Sequence, residues 1–567
     1  DLEEQSALDA LDEALEAQLA RTTSESEVYD FSHALIRLTL YSELNSSRRV
    51  RLHRRLAEEM ERRYGGKASE HALEIAQQWH RSAALPGAER GIEHCVVAAD
   101  RAWLAAAHEE AATALRMALD LVPASDARRP RILARLGLAL AWSLKNEEAV
   151  RVASEAGELL AASEGNDAAA DYLADAAAAV YSSAFDPRGW ALSEQGLQHM
   201  RGRRDLKWAL LTSYDLDRRQ LTDPEFPGTP LDVPERHEAS RILLANQAAF
   251  LDRGADLPAP WLVFTSREEA IEQAGSSGPV MAFQAGEYER ALDLLNKRAA
   301  SSVDRGRFSG AAWSLSTMAL CQAALGNLAA SGEALARATE LAERAGNPPV
   351  TAISLLAVSI GHRFVHGVGY ELLLPVFERL LADNTLSLRH VRAVTLATAA
   401  TCYAHAGRRE EALRTLRRTL PAVERGAGWV DNYAAIVYFA IEAVWILGSR
   451  DHTDTLERNL REKTLTPDFR WPHTDARLAL ARLCTLTGRF NEACAWFEKA
   501  RHVLDEQGAR PLRAITDFDE AWMEVRRGGA GDGKRALRLL DAACGRFTSI
   551  GMPGWLRRAE ELRQLVR

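Results

Sequence analysis

Seven glycines recur at intervals of about 40 residues through the second half of this chain. That period is too long for one helix and is typical of two helices with their turns, so each interval predicts one helix–turn–helix unit stacked on the next. Glycine favours the tight turn inside each unit. The sequence therefore predicts an all-α superhelix. The glycines are Gly286, Gly326, Gly367, Gly407, Gly448, Gly488 and Gly531.

The segment LALARLCTLTGRFNEACAWFEKARHVLDEQGA around Gly488 shows how one unit is built. Small residues, Ala481 and Ala493, lie where two helices must approach closely, and large ones, Phe490 and Phe497, fill the space between them. This register resembles the tetratricopeptide repeat. The resemblance implies a solenoid of α-α pairs.

Changes in the pattern along the chain predict four segments. Residues 1–64 form a separate small element, 65–185 and 281–567 hold helical pairs, and 186–280 hold irregular repeats with a proline-rich loop. The prolines forbid a continuous helix there. The loop is interpreted either as a connection between repeats or as the wall of a pocket beside Trp208, Tyr214 and Trp261. Its prolines are Pro224, Pro227, Pro230 and Pro234.

Composition narrows the classes of function. The net charge is -9, and acidic and basic residues alternate throughout, which disfavours a nucleic-acid partner. The six cysteines show no paired spacing and favour a reducing, cytoplasmic location. No apolar run approaches the length of a membrane span, so no membrane partner is expected.

Residues 28–60 carry the most specific local pattern, FSHALIR…LYSEL…RR…LHRRLAE. Phe31, Leu35, Leu38, Tyr41 and Leu44 share one helical face, which predicts a small packed helical element. Asn45 or Ser46 is expected to cap the next helix.

The same pattern resembles the end of the winged-helix subdomain in STAND-class signalling ATPases of bacteria, such as multidomain cyclase-ATPase-repeat or LuxR-type regulators. The resemblance implies that ALDALDEALEAQLA is the last helix before the wing, RTTSESEV its turn, and Tyr29–Phe31 its returning strand. It also implies a nucleotide-sensing role for His33, for which a local hydrogen-bonding role is the alternative. An ATPase core elsewhere in the parent protein would then be an intramolecular partner.

In the LuxR-type branch a DNA-binding helix-turn-helix follows the repeats, and the chain to Arg567 carries none. This difference favours an amino-terminal effector in the parent protein, such as a nucleotide cyclase.

No catalytic motif stands out. The segment GGAGDGKR, from Gly528 to Arg535, spells GxxxxGK, but Arg535 stands at the Ser/Thr position, and the preceding residues predict a helix instead of the strand of a phosphate loop. His362 and His366 are spaced as metal ligands on a helix, yet no third ligand is apparent, so a structural role is favoured. No enzymatic activity, cofactor or metal is expected in this segment.

The repeat register places a set of aromatic and charged side chains on the first helices of the units, where a solenoid presents its concave groove. Such a mixture suits a protein partner or a small effector. The alternative is that these side chains pack between repeats. The residues are Trp313, Tyr438, Glu442, Trp445, Asp475 and Arg482.

The sequence thus favours a regulatory sensor arm of a STAND-type ATPase, in which ligand or partner binding relieves inhibition of an effector. A free-standing tetratricopeptide-like scaffold for protein–protein interaction is the alternative.

Overall fold

A computed structural model describes residues 4–24, 28–184, 187–222, 286–304, 308–345, 361–382, 389–425, 430–462 and 474–566. Shorter described pieces are 235, 238–239, 242, 282–283, 306 and 470–471. These residues are almost entirely helical, which confirms the all-α prediction. The predicted proline-rich loop and Trp261 lie outside them.

The chain divides into two compact units, Asp1–Leu136 and Gly137–Arg567. This division does not follow the boundaries predicted at 64, 185 and 280. In the first unit, residues on both sides of position 64 belong together, because the helix that ends at Tyr64 packs on the helix that begins at Ala72.

The first unit begins with a helix, a small hairpin and a second helix. The two hairpin strands are antiparallel, with Arg21 opposite Asp30. The elements are α1 (Glu4–Glu16), β1 (Ala20–Thr22), β2 (Tyr29–Phe31), α2 (Ala34–Glu43), α3 (Ser46–Tyr64), α4 (Ala72–Arg81), α5 (Gly91–Leu104), α6 (His108–Leu121) and α7 (Arg129–Trp142), the last crossing into the second unit.

Polar side chains cap the first turns of α2 and α3. Asn45 accepts a hydrogen bond from the backbone N–H of Arg48 at 2.9 Å, which confirms it as the cap of α3. His33 caps α2, its Nδ1 accepting from the backbone N–H of Leu35 at 3.2 Å. These side chains satisfy amide groups that the first helical turn leaves unpaired.

The apolar face of α2 is not packed as expected. None of the residues of α2 is buried, and Leu35 and Leu38 are each 63% exposed. The prediction of a small packed element is wrong for this helix, because periodicity identifies an apolar face but not what covers it. The unit's compact core lies further along, around Ile75 and Trp79.

The described residues of the second unit form helices, many of them joined by short turns, and one minimal hairpin. Its elements are α8 (Asn146–Ser163), α9 (Asn166–Ala184), α10 (Trp190–His199), α11 (Leu206–Thr222), α12 (Tyr288–Asp304), α13 (Phe308–Leu325), α14 (Leu328–Ala345), α15 (Leu374–Ala382), α16 (Arg389–His405), α17 (Arg409–Arg425), α18 (Val430–Leu447), α19 (Thr453–Glu462), β3 (Arg470–Trp471), β4 (Thr474–Asp475), α20 (Ala476–Thr487), α21 (Phe490–Glu506), α22 (Arg510–Arg527), α23 (Asp532–Ile550) and α24 (Pro553–Val566).

All seven periodic glycines adopt left-handed backbone conformations, with φ between 61° and 82°. At Gly407 and Gly488 the turn has the same form, because the glycine N–H bonds to the carbonyl three residues back and the next N–H to the carbonyl five residues back. A side chain would strain this conformation. The sequence rhythm therefore marks real helix–turn–helix units of about 40 residues.

The unit around Gly488 packs as its sequence predicts. Ala481, Ala493 and Phe497 are fully buried in one core cluster. The segment GGAGDGKR forms the turn after α22 and the first residues of α23, and Asp532 accepts the Gly529 N–H at 2.7 Å. The Asp532 carboxylate thus already accepts the hydrogen bond that this backbone amide can donate.

Contacts in the second unit also join residues far apart in sequence. Arg510 donates through Nε to the Leu325 carbonyl at 2.7 Å, and Trp555 donates through Nε1 to the Phe364 carbonyl at 2.7 Å. These pairs are 185 and 191 residues apart. An open solenoid joins only neighbouring repeats, so this unit departs from the simple arrangement.

Among the described helices, none combines the length and the apolar character needed to cross a lipid bilayer.

Candidate functional site

Of the six predicted groove residues, five are buried. Tyr438, Glu442, Asp475 and Arg482 are 0% exposed and Trp445 is 5% exposed. Only Trp313, on α13, is partly exposed. The expectation that these residues line an open groove is therefore corrected for those five, because they pack inside the second unit.

Three of these residues meet at one buried charged centre. Arg482 on α20 forms an ion pair through Nη1 with Glu442 on α18, and its Nε donates to Asp519 on α22 at 2.8 Å. Trp445 donates through Nε1 to the other oxygen of Asp519 at 3.1 Å. The Arg482, Glu442 and Asp519 side chains are fully buried.

The chain of polar contacts continues from Glu442 to the carboxy-terminal helix. The second oxygen of Glu442 lies 3.1 Å from Nε2 of His405, at the end of α16. Nδ1 of His405 lies 3.0 Å from Nη2 of Arg558 on α24. Because a guanidinium only donates hydrogen bonds, His405 is the neutral tautomer that accepts at Nδ1 and donates from Nε2.

We call the connected side chains Arg558, His405, Glu442, Arg482 and Asp519 the charged relay. Its members come from α24, α16, α18, α20 and α22, every second helix from residue 389 onward. Its two guanidinium groups balance its two carboxylates while His405 stays neutral. The relay thus joins five helices through a network with no net charge, which is fully buried except at the partly exposed Arg558.

Burial sets the protonation of the relay. It lowers the pKa of His405 to about 4, against the smaller opposing influence of Glu442. Burial also raises the pKa of Asp519 to about 6, despite the nearby Arg482. Desolvation disfavours the charged form of each group, so the two shifts run in opposite directions.

Two polar atoms of this centre find no hydrogen-bond partner among the described residues. They are Nη2 of Arg482 and the hydroxyl of Tyr370. The Tyr370 ring stacks on the His405 ring with centroids 4.3 Å apart. The centre therefore offers hydrogen-bonding capacity that it does not use in this arrangement.

The remaining predicted site residues lie apart from the relay. Tyr438 belongs to the apolar core. Asp475 caps α20, accepting from the Arg477 N–H at 2.8 Å. His33 belongs to the first unit and caps α2.

Sequence reasoning missed His405, Asp519 and Arg558. A charged residue within a strongly apolar helix was the available signal, and it is clear for Glu442 in YFAIEAVWIL. His405, Asp519 and Arg558 lie on more polar helices, where this signal is weak.

Two clusters have the composition of metal sites. Glu457, Cys484 and Glu492 lie together, but Arg489 pairs with both carboxylates. Cys494, Glu520 and Glu524 lie together as well. There Arg501 pairs with Glu520, and Arg527 pairs with Glu524. These arginines neutralise the carboxylates that a cation would need.

The His362–His366 pair packs ring against ring, with centroids 4.6 Å apart. Burial lowers the pKa of His362 to about 4, and its Nδ1 lies 3.4 Å from the hydroxyl of Ser331. A structural role is compatible with these contacts.

Neither the models of known protein families nor the curated protein sequences match this chain.

Proposed function

We propose that this chain is a regulatory binding arm of a STAND-type signal-transduction ATPase from bacteria, acting in the cytoplasm. In this proposal the second unit is a tetratricopeptide-like arm, and the start of the first unit is the end of a winged helix. The helix–hairpin–helix order of residues 4–43 and the 40-residue helical units support it.

The observation that carries the proposal is the charged relay. A buried ion network is a poor way to gain stability, because removing charges from water costs much of what their attraction returns. Apolar side chains of similar size would stabilise such a core at least as well. A network that joins five helices, among them α24, is better suited to holding a particular arrangement that can be exchanged for another.

In the proposed mechanism the relay holds the closed arrangement of the arm. Arg558 anchors α24 to His405, while Trp555 anchors the same helix to the Phe364 carbonyl. A protein partner or small effector that prefers an arrangement with α24 released would shift the population toward it. Such release would separate Arg558 from His405, on which the ring of Tyr370 stacks, and the Tyr370 hydroxyl has unused hydrogen-bonding capacity.

The test uses the polypeptide encoded by the complete reading frame that contains this chain. We expect that frame to encode a phosphate loop, and its product to hydrolyse ATP. Arg558→Ala should raise ATP turnover several-fold by weakening the closed state. Arg557→Ala, on the exposed side of the same helix, is the matched control and should leave turnover unchanged.

A reading frame without an ATPase would overturn the proposal and favour the scaffold. Equal turnover of wild type and Arg558→Ala would reject the regulatory role of the relay.

A further inference from the structure

The first unit leaves leucines in solvent at helical spacing. On α2, Leu35 and Leu38 are each 63% exposed, and on α3, Leu52 and Leu56 are 47% and 46% exposed. Spacings of three and four residues place each pair on one face of its helix. Single exposed leucines are ordinary, but paired leucines on each of two consecutive helices, which Tyr41 and His53 join by a 2.9 Å contact, indicate an interface.

Most of the charged residues around this surface are basic. Helix α3 contains seven arginines against three glutamates. Arg48 and Arg51 are exposed within one turn of Leu52. We call the exposed leucines of α2 and α3, with these arginines, the basic leucine face.

The same unit carries a face of the opposite charge. Helix α1, EQSALDALDEALE, has five acidic residues and no basic one. Its Leu8 is 49% exposed, and Asp9 and Asp12 are exposed beside it. We call this surface the acidic leucine face.

The two faces do not cover each other within one chain, because the leucines of both stay exposed. We propose that they pair between two copies of this chain, the acidic leucine face of each copy on the basic leucine face of the other. This exchange is two-fold symmetric: each contact occurs twice and the assembly closes as a dimer. Opposite charges fix the orientation, and the leucines supply the apolar contact.

The surface is large enough for this purpose. A stable interface takes roughly 800 Å² and about 20–30 residues from each partner. The three helices that carry the two faces contain 13, 10 and 19 residues. Together they supply 42 residues in each copy, and one face of them, roughly half, falls in the range of residues that a stable interface takes from each partner.

The test is sedimentation velocity of the whole chain over a wide concentration range. We expect a monomer–dimer equilibrium. Leu38→Glu with Leu52→Glu should raise the dissociation constant by at least about tenfold, because a charge would be forced into the apolar contact. Leu104→Glu, at an 84% exposed leucine outside both faces, is the matched control and should dimerise as wild type does.

Charge reversal tests the pairing directly. Asp9→Arg with Asp12→Arg should weaken dimerisation, as should Arg48→Glu with Arg51→Glu, since each places like charges opposite one another. The two double variants mixed in equal amounts should form a mixed pair, because both of its contacts then join opposite charges. All four substitutions in one chain should restore the symmetric dimer, because both faces then change sign.

A chain that stays monomeric at every concentration overturns the proposal. A dimer whose dissociation constant is unchanged by the leucine substitutions also overturns it, as does a chain with all four charge substitutions that fails to dimerise. Circular dichroism of each variant identifies misfolding. The control Leu104→Glu shows whether a charge at any exposed leucine of the first unit weakens the dimer. The inference is independent of the regulatory function proposed above.

Discussion

Polarity is distributed in opposite ways in two regions of this molecule. Between residues 389 and 566, the charges of Glu442, Arg482 and Asp519 are fully buried. In the first unit, leucines such as Leu35 and Leu38 lie in water. Both regions depart from the usual rule of apolar inside and charged outside. The buried charges have partners within their own unit, whereas the exposed leucines do not.

This difference indicates where the partners of each region lie. A buried charge without a partner is costly, which favours a relay that is completed within its own unit. An exposed leucine costs little in an isolated chain, so its partner can be a second molecule. The following substitutions test this contrast, from the largest expected effect to the smallest.

Arg482→Met should lower the free energy of unfolding of the second unit by about 3–5 kcal/mol, because Glu442 and Asp519 would keep buried charges without a counter-ion. Urea denaturation followed by circular dichroism measures the loss. As a control, Lys297→Met removes the exposed ion pair with Asp293 and should cost ~0.5 kcal/mol or less. Similar losses for the two variants would show that burial does not distinguish the relay.

Acidification should change the stability contributions of His405 and Asp519 in opposite directions. Between the lowered pKa of His405, about 4, and its ordinary 6.5, only the unfolded state binds the proton, so this contribution to stability is lost as pH falls. Asp519 behaves oppositely: its pKa is raised from 3.8 to about 6, the folded state holds the proton longer, and stability is lost as pH rises.

The two contributions partly cancel in the wild type. Asp519→Asn removes one of them, so stability should fall more steeply on acidification, by about 2–3 kcal/mol more than in the wild type. Urea midpoints measured across this pH range test the difference. Asp541→Asn, at an exposed carboxylate, should keep the wild-type profile. An unchanged slope in Asp519→Asn would contradict the buried titration.

Gly554→Ala tests the closure of the second unit by α24. An added Cβ would lie 2.2 Å from the carbonyl oxygen of Gly367, so the backbones would have to separate. We expect a loss of about 1–3 kcal/mol from overpacking. Gly545→Ala, with no neighbour within 4 Å, should instead gain about 0.5–1 kcal/mol from helix propensity. Thermal unfolding of the two variants should therefore shift in opposite directions.

Leu35→Gln should have the smallest effect on the isolated chain. Because Leu35 is 63% exposed, its replacement should change the free energy of unfolding by less than about 0.5 kcal/mol. Ile75→Ala, at a fully buried position of the same unit, should cost about 2–5 kcal/mol. Chemical denaturation at a concentration where the chain is monomeric measures both. A large effect at Leu35 would mean that α2 is covered within its own chain.

Much of the local structure could be read from the sequence. The glycine period located the turns, since left-handed backbone conformations favour glycine wherever they occur. Asn45 was identified as a cap for a similarly local reason, because its side chain bonds to an amide three residues away. Such features depend on neighbouring residues only.

The candidate site was predictable only in part. The repeat register brought Glu442, Trp445 and Arg482 into one group, but it assigned them to an open groove. Asp519 on α22 bonds to Trp445 and Arg482, and the contacts of α24 with Phe364 and His405 bridge 191 and 153 residues. A local sequence pattern cannot predict contacts between residues so far apart in the chain.

The sequence by itself determined the helical class, the 40-residue units and the caps and turns, because these follow from short-range backbone chemistry. Only the tertiary structure decided that polar side chains of five helices meet in one largely buried relay while leucines of the first unit stay in solvent. The physical reason is that desolvation depends on what covers a side chain, and the covering residues are remote in sequence.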